Sequence, residues 1–172
     1  MSLLRHGDGV TVACLAQLVN VIAPIRSEPG ESAWRQTIFY PFALTARYAR
    51  GDVLRTECRT TTLPSTTRGD IPTVDVIATR DPEDGSIAIF AVNRHETEPA
   101  ALRVTLPSPW TLRIADHIEL GGVSLLDTNS QAMPERVVPH PSTAHRMDDE
   151  GLTAQLPPVS WTLLRLIPNP SD

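Results

Sequence analysis

The sequence predicts a mainly β chain, in which an antiparallel β-sandwich or barrel follows a short α/β unit. Residues 10–50 carry the signals of a helix, a short strand, a loop and a second helix, in that order. From Val74 onward, apolar residues recur with a period of two, as in half-buried strands. Short apolar stretches then follow at intervals of roughly 8–12 residues, separated by turn residues, which is typical of sandwiches and barrels.

Residues 10–22 are almost continuously apolar and follow a possible N-cap at Asp8. A helix that is apolar on nearly all sides needs neighbours on more than one face. Residues 23–25, Ala-Pro-Ile, predict a very short strand, because a residue before proline favours extended geometry. Residues 26–32 contain Pro-Gly and predict an exposed loop.

The second helix is predicted at residues 33–50. Ser32 can cap its start and Gly51 can end it. Pro41 should kink or restart this helix, because proline lacks the backbone donor and clashes one turn back. The first ten residues of the segment hold four of the chain's eight aromatic side chains.

Three regions are predicted, namely 1–51 as a helix-strand-helix piece, 52–70 as an extended connector and 71–172 as a β-sandwich. The connector is rich in Thr and has no apolar period. A turn is expected at 81–85. Strands are expected at 74–78, 87–91, 101–106, 111–120, 136–138, 152–156 and 159–167.

Composition excludes several classes of function. The 172 residues have a net charge of −5, and the fifteen basic residues are scattered arginines, which is not the footprint of a nucleic-acid-binding protein. Two cysteines, Cys14 and Cys58, do not form a disulfide framework. The chain shows neither a secretory signal nor a run of ~18 apolar residues that could span a membrane, so a cytoplasmic location is expected.

Candidate sites are few. Glu28 and Glu31 could be a catalytic carboxylate pair, but nothing nearby would raise one pKa, which favours solvated loop acids. His140 and His145 lack the spacing of a metal site, and we expect no metal or other cofactor. The rings of Trp110 and Trp161 could stack on sugars, which leaves a stand-alone carbohydrate-binding or interaction module as an alternative function.

Gln36 is the one candidate binding residue. A neutral amide offers two donors and an acceptor, which suits a ligand rich in hydroxyl groups. The same amide could instead satisfy the backbone of the preceding loop at a helix start. The residue type leaves both interpretations open.

Two stretches of the first 42 residues resemble the C-terminal part of the α-L-arabinofuranosidases of glycoside hydrolase family 51. They are CLAQLVNVIAPI at 14–25 and AWRQTIFYPF at 33–42, and they occur in the family's order and nearly its spacing. IFAVNR at 89–94 and SWTLLRL at 160–166 are similar to that family's terminal β domain.

The resemblance implies a retaining glycosidase with a (β/α)8 barrel and a jelly-roll-like β-sandwich. In this interpretation residues 10–22 form the seventh barrel helix, 23–25 the eighth strand and 33–50 the last helix. Gln36 matches a glutamine of the family's sugar-binding set. The two catalytic glutamates of the family lie on earlier barrel strands, so this chain contains no catalytic residue and is expected to be inactive alone.

The implied partners are the remainder of the barrel, an arabinose-containing oligosaccharide and further copies of the chain in a homo-oligomer. With most of the barrel missing, the apolar faces of residues 10–50 should fold back on the sandwich or pair between chains.

Overall fold

The computed structural model describes residues 1–106, 111–121 and 124–169. Within these ranges the chain forms two helices, α1 (Ser2–Arg5) and α2 (Phe39–Tyr48), and thirteen strands. The strands are β1 (Ile25–Arg26), β2 (Trp34–Arg35), β3 (Asp52–Leu54), β4 (Thr62–Leu63), β5 (Ile71–Pro72), β6 (Val74–Arg80), β7 (Ile87–Asn93), β8 (Ala100–Val104), β9 (Leu112–Leu120), β10 (His140–Pro141), β11 (His145–Asp148), β12 (Gly151–Leu156) and β13 (Ser160–Pro168). No helix of the described ranges is long and apolar enough to cross a membrane.

Two antiparallel sheets form the sandwich. The large sheet has the strand order β10-β9-β13-β7-β6-β3, and the small sheet has the order β11-β12-β8. Two further pairs, β1-β2 and β4-β5, form separate two-stranded ladders. The predicted fold class, a mainly β chain with a sandwich, is therefore confirmed.

The core lies between the two sheets. Strands β6, β7 and β13 of the large sheet and β8 and β12 of the small sheet supply its side chains. Its buried residues are Val74, Val76, Ala78, Ile87, Ile89, Ala91, Leu102, Leu152, Ala154, Leu156, Leu164 and Leu166. These positions alternate along each strand, which is the period of two that the sequence shows.

The outer face of the large sheet is also buried in its centre. Ile77, Ala88, Phe90 and Leu163 form a second cluster, which we call the outer cluster. Met1, Leu4, Tyr48, Ala49, Ile118 and Trp161 pack against it. The N-terminal residues and the end of α2 therefore cover a face that simple alternation would leave to solvent.

An ion-pair network holds the N-terminal segment against the outer face of the large sheet. Asp75 on β6 accepts hydrogen bonds from the guanidinium groups of Arg5 and Arg94, the latter at 2.9 Å. Partial burial favours the neutral carboxyl, but the two arginines outweigh it and hold the pKa of Asp75 below its ordinary value. Arg5 also donates to the Val76 carbonyl at 2.9 Å, so α1 is held to β6 by a charged and a neutral acceptor.

The helix predicted at residues 10–22 is wrong, because the structure has turns and irregular backbone there. Most large side chains of this segment are exposed, among them Val12 at 76% and Leu18 at 73%. Helices of this length owe most of their stability to packing of their apolar face. The described residues offer this segment no such surface, and its β-branched valines do not favour a helix by themselves.

The second predicted helix exists but is shorter. Strand β2 takes up the start of the segment 33–50, and α2 begins only at Phe39, with Ile38 in place of Ser32 at the N-cap. Pro41 is the third residue of α2, in the first turn, where a backbone N–H has no intrahelical partner. Gly51 follows the helix with a φ of 67°, and a side chain there would clash with the Arg80 carbonyl.

Six of the seven predicted strands are confirmed within a few residues by β6, β7, β8, β9, β12 and β13. The strand at 136–138 is wrong, because Val137 hydrogen-bonds within its own loop. Strands β3 and β4 lie inside the predicted connector, and β3 pairs with β6 at the edge of the large sheet. Trp110 lies outside the described residues.

Candidate functional site

Gln36 directly follows β2, the second strand of a small antiparallel ladder. In that ladder Ile25 is opposite Arg35, and Arg26 is opposite Trp34. The backbone N–H of Gln36 donates to the Pro24 carbonyl at 2.8 Å, and its side-chain Nε2 donates to the Ala23 carbonyl. The first contact holds the backbone of Gln36, and the second holds its side chain, against the residues that precede β1.

The Gln36 side chain is half-buried and keeps hydrogen-bonding capacity. One of its two amide protons is used by Ala23, and Oε1 accepts no hydrogen bond from any residue in the described ranges. A carboxamide in this state can accept from one hydroxyl and donate to another. The contact with Ala23 agrees with the interpretation that the amide satisfies the backbone of the preceding loop. Oε1 remains able to accept a hydrogen bond from a ligand. The role of Gln36 in sugar binding therefore stays a prediction.

A tight turn before β1 presents the two carbonyls that Gln36 uses. Asn20 and Val21 have φ angles of 61° and 55°, in the left-handed region. The turn is closed by a 2.8 Å hydrogen bond from the Ala23 N–H to the Asn20 carbonyl, and Asn20 Oδ1 accepts from the Ser27 N–H at 2.8 Å. The sequence offers one signal for it, because Asn tolerates this conformation better than most residues do.

The loop between β1 and β2 carries Glu28 and Glu31, and both are exposed. Gly30 has a φ of 81°, and the Glu31 N–H donates to the Glu28 carbonyl at 3.1 Å, which makes a solvent-facing turn. This placement agrees with the interpretation of both residues as solvated loop acids.

Asn129 contacts the Gln36 region from the sandwich, and sequence reasoning missed it. Its side chain is 7% exposed, and Nδ2 donates to the Arg35 carbonyl at 3.0 Å. Nδ2 also donates to the Val137 carbonyl at 3.0 Å, and Oδ1 accepts from the Val137 N–H at 2.7 Å. No local pattern could have indicated a contact between residues 94 positions apart.

Of the two histidines considered as metal ligands, His145 meets a third histidine, His117, inside the sandwich. His117 on β9 and His145 on β11 bridge the two sheets, with a distance of 3.0 Å between their Nδ1 atoms. His117 Nε2 lies 3.1 Å from Glu119 Oε1 without hydrogen-bond geometry, and His140 Nε2 lies 3.7 Å from Glu119 Oε2. Across the described ranges, no three His, Cys, Asp or Glu side chains are arranged to hold a metal ion.

Burial dominates the electrostatics of His117. It lowers the pKa of His117 below the ordinary histidine value, while Glu119 acts in the opposite direction and His145 adds to the lowering. The contact with His145 requires at least one of the two rings to be neutral, because one Nδ1 must donate and the other must accept.

Trp161 packs against the outer cluster. Its ring centroid lies 5.9 Å from that of Phe90, with an interplanar angle of 37°. Trp161 is partly buried and packs against the same cluster as Tyr48 does, which agrees with a packing role.

Comparison with known proteins identifies the family. The family model described as the α-L-arabinofuranosidase C-terminal domain matches residues 1–160. An intracellular exo-α-(1→5)-L-arabinofuranosidase of Streptomyces lividans is 43% identical over 96% of this chain and 25% of its own length. An exo-α-(1→6)-L-arabinofuranosidase of Bifidobacterium longum is 42% identical over 96% of this chain and 32% of its own length.

Solved structures agree with the sequence comparison. A family 51 α-L-arabinofuranosidase from Bifidobacterium longum superposes with a TM-score of 0.88 at 37% identity, covering 95% of this chain and 32% of that chain. A family 51 enzyme from Xanthomonas axonopodis shares the fold with a TM-score of 0.83 at 23% identity, over 95% of this chain and 33% of that chain. The chain thus spans about a quarter to a third of the length of these relatives. It belongs to the α-L-arabinofuranosidase C-terminal domain family.

Proposed function

We propose that this chain is the C-terminal region of a retaining α-L-arabinofuranosidase that hydrolyses terminal α-L-arabinofuranosyl groups. Residues 1–51 complete the catalytic barrel, and residues 71–172 form an accessory sandwich. Residues 52–70 are the extended connector between these two regions. The chain supplies Gln36 for sugar binding and no catalytic residue, cofactor or metal ligand. The family match over residues 1–160 carries the proposal.

The exposed apolar segment 12–22 supports this division. Val12, Leu18, Val21 and Ile22 are each more than 60% exposed. Burying such a side chain contributes roughly 1.5–3 kcal/mol, so this segment gains stability when the rest of a barrel covers it. We propose the remainder of the barrel as its partner and, by the resemblance, a homo-oligomer of the whole enzyme.

The relatives suggest the substrate class and the compartment. The names of the two relatives specify α-(1→5) and α-(1→6) linkages, and both relatives are nearly equally identical to this chain. We therefore propose an arabinose-containing oligosaccharide as substrate without choosing a linkage. Several relatives are named intracellular, which supports a cytoplasmic location for this protein.

A chimera tests the proposal. Residues 1–172 replace the matched C-terminal part of the Streptomyces lividans relative, and hydrolysis of 4-nitrophenyl α-L-arabinofuranoside is measured. We expect turnover by the chimera and none by the 172-residue chain, because retention requires a carboxylate pair about 5–5.5 Å apart. Normal turnover by the isolated chain, or a folded chimera without activity, would refute the proposal.

The role of Gln36 is tested in the same chimera. Gln36→Ala should raise KM roughly tenfold, because one hydrogen bond to the sugar is worth on the order of 1 kcal/mol or more in a buried site. Gln155→Ala is the matched control, since Gln155 is exposed on β12. An unchanged KM in Gln36→Ala would remove Gln36 from the binding set.

A further inference from the structure

Asn129 links the sandwich to the strand that precedes Gln36. It lies in the loop between β9 and β10, and two of its three hydrogen bonds stay within that loop, both to Val137. The third leaves the loop and ends on the Arg35 carbonyl at 3.0 Å. A buried amide with all three bonds made is fixed in orientation, so it can act as a clamp between the two segments.

The ladder geometry explains why Arg35 needs this partner. The hydrogen bond from the Gln36 N–H to the Pro24 carbonyl makes Ile25 and Arg35 a non-hydrogen-bonded pair. The Arg35 carbonyl therefore points away from β1, toward the side on which Asn129 lies. Asn129 supplies the donor that a third strand would otherwise provide.

We propose that Asn129 is a positioning residue for Gln36. The carbonyls of Ala23 and Pro24 hold Gln36 from one side of the ladder, and Asn129 holds the adjacent peptide from the other. The loop of the sandwich thereby sets the direction in which the Gln36 amide points. This inference rests on the proposed role of Gln36 in sugar binding.

The loop has internal order that is separate from the clamp. Arg136 Nε donates to Asp127 Oδ1 at 2.7 Å, and the backbones of Ser130 and Met133 exchange two hydrogen bonds of 3.2 Å. Arg136→Gln weakens the loop without touching Arg35. It is therefore a matched control for substitutions of Asn129.

Hydrogen exchange of the 172-residue protein tests the clamp. Asn129→Asp keeps an acceptor for the Val137 N–H but turns an oxygen toward two carbonyls, and Asn129→Ala removes the side-chain bonds without adding charge. We expect the amides of residues 34–39 to exchange roughly fivefold to tenfold faster in either Asn129 variant, because one buried hydrogen bond is lost. In Arg136→Gln the exchange rates of these amides should stay within about twofold of the parent. Unchanged exchange at 34–39 in both Asn129 variants, with β7 and β13 still protected, would overturn the proposal.

Kinetics of the chimera test whether the clamp acts through Gln36. Asn129→Ala should raise KM with a smaller change in kcat, and should have no further effect when Gln36 is already Ala. Independent, multiplying effects of the two substitutions would overturn the positioning role. Inactivity of the parent chimera would count against the proposed function alone, because the exchange experiment does not depend on activity.

Discussion

Leu163 and Leu164 are neighbours on β13 that report on opposite faces of the large sheet. Both are completely buried, Leu164 in the core between the sheets and Leu163 in the outer cluster. Each replacement by Ala removes the same atoms, and at fully buried sites this change costs about 2–5 kcal/mol. We therefore expect Leu163→Ala and Leu164→Ala to lower the free energy of unfolding by comparable amounts.

Urea unfolding followed by circular dichroism measures both effects. With a slope of roughly 1–3 kcal/mol per molar urea, the midpoint should fall by about 1–2 M in each variant. Leu126→Ala is the control, since Leu126 is 89% exposed and should change stability by no more than about 0.5 kcal/mol. A loss below about 1 kcal/mol for Leu163→Ala, beside a full loss for Leu164→Ala, would mean that residues 1–51 do not cover the outer face in solution.

Two further perturbations test the electrostatics. Because burial lowers the folded-state pKa of His117, the unfolded chain binds more protons near and below the ordinary value of about 6.5, so stability should fall as the pH drops from 7 to 5.5. His117→Gln should flatten this dependence, and an unchanged slope would contradict the assignment. Asp75→Asn should remove the ion pairs of Arg5 and Arg94 and leave only their bonds to backbone carbonyls, so we expect a cost on the order of 1 kcal/mol and faster tryptic cleavage after Arg5. Asp116→Asn, the control at a more exposed ion pair, should leave that cleavage rate unchanged, and equal rates in both variants would refute the network's role.

The strands were predictable because their period is local. Alternation such as Val74, Val76 and Ala78 identifies the face that meets the other sheet. Burial of the outer face was not predictable from that pattern, since it depends on which distant residues cover Phe90. The same limit explains why the helix predicted at 10–22 is wrong. The apolar pattern indicates that the segment needs neighbours, but it does not indicate whether those neighbours are present.

The candidate site also contains a residue that the sequence could predict and residues that it could not. Gln36 was indicated by its residue type and by the resemblance of its neighbours to a known family. Asn129 carries no such signal, because a buried Asn that bonds a distant backbone looks like any loop Asn in the sequence. The contact between His117 and His145 was also out of reach, since it joins strands of two different sheets.

The sandwich contacts both ends of the strand-helix segment from β2 to α2, which supports its proposed accessory role. Asn129 holds the peptide of Arg35 at the start of the segment that carries Gln36, and Tyr48 at the end of that segment packs against the outer cluster. The Arg165 guanidinium lies 5.8 Å from the Tyr48 ring centroid and adds a second contact from β13. Both ends of this strand-helix segment therefore contact the sandwich, although much of the apolar surface before it is exposed. In the proposed enzyme, a sandwich that holds both ends of this segment would set where the Gln36 side chain lies relative to the barrel.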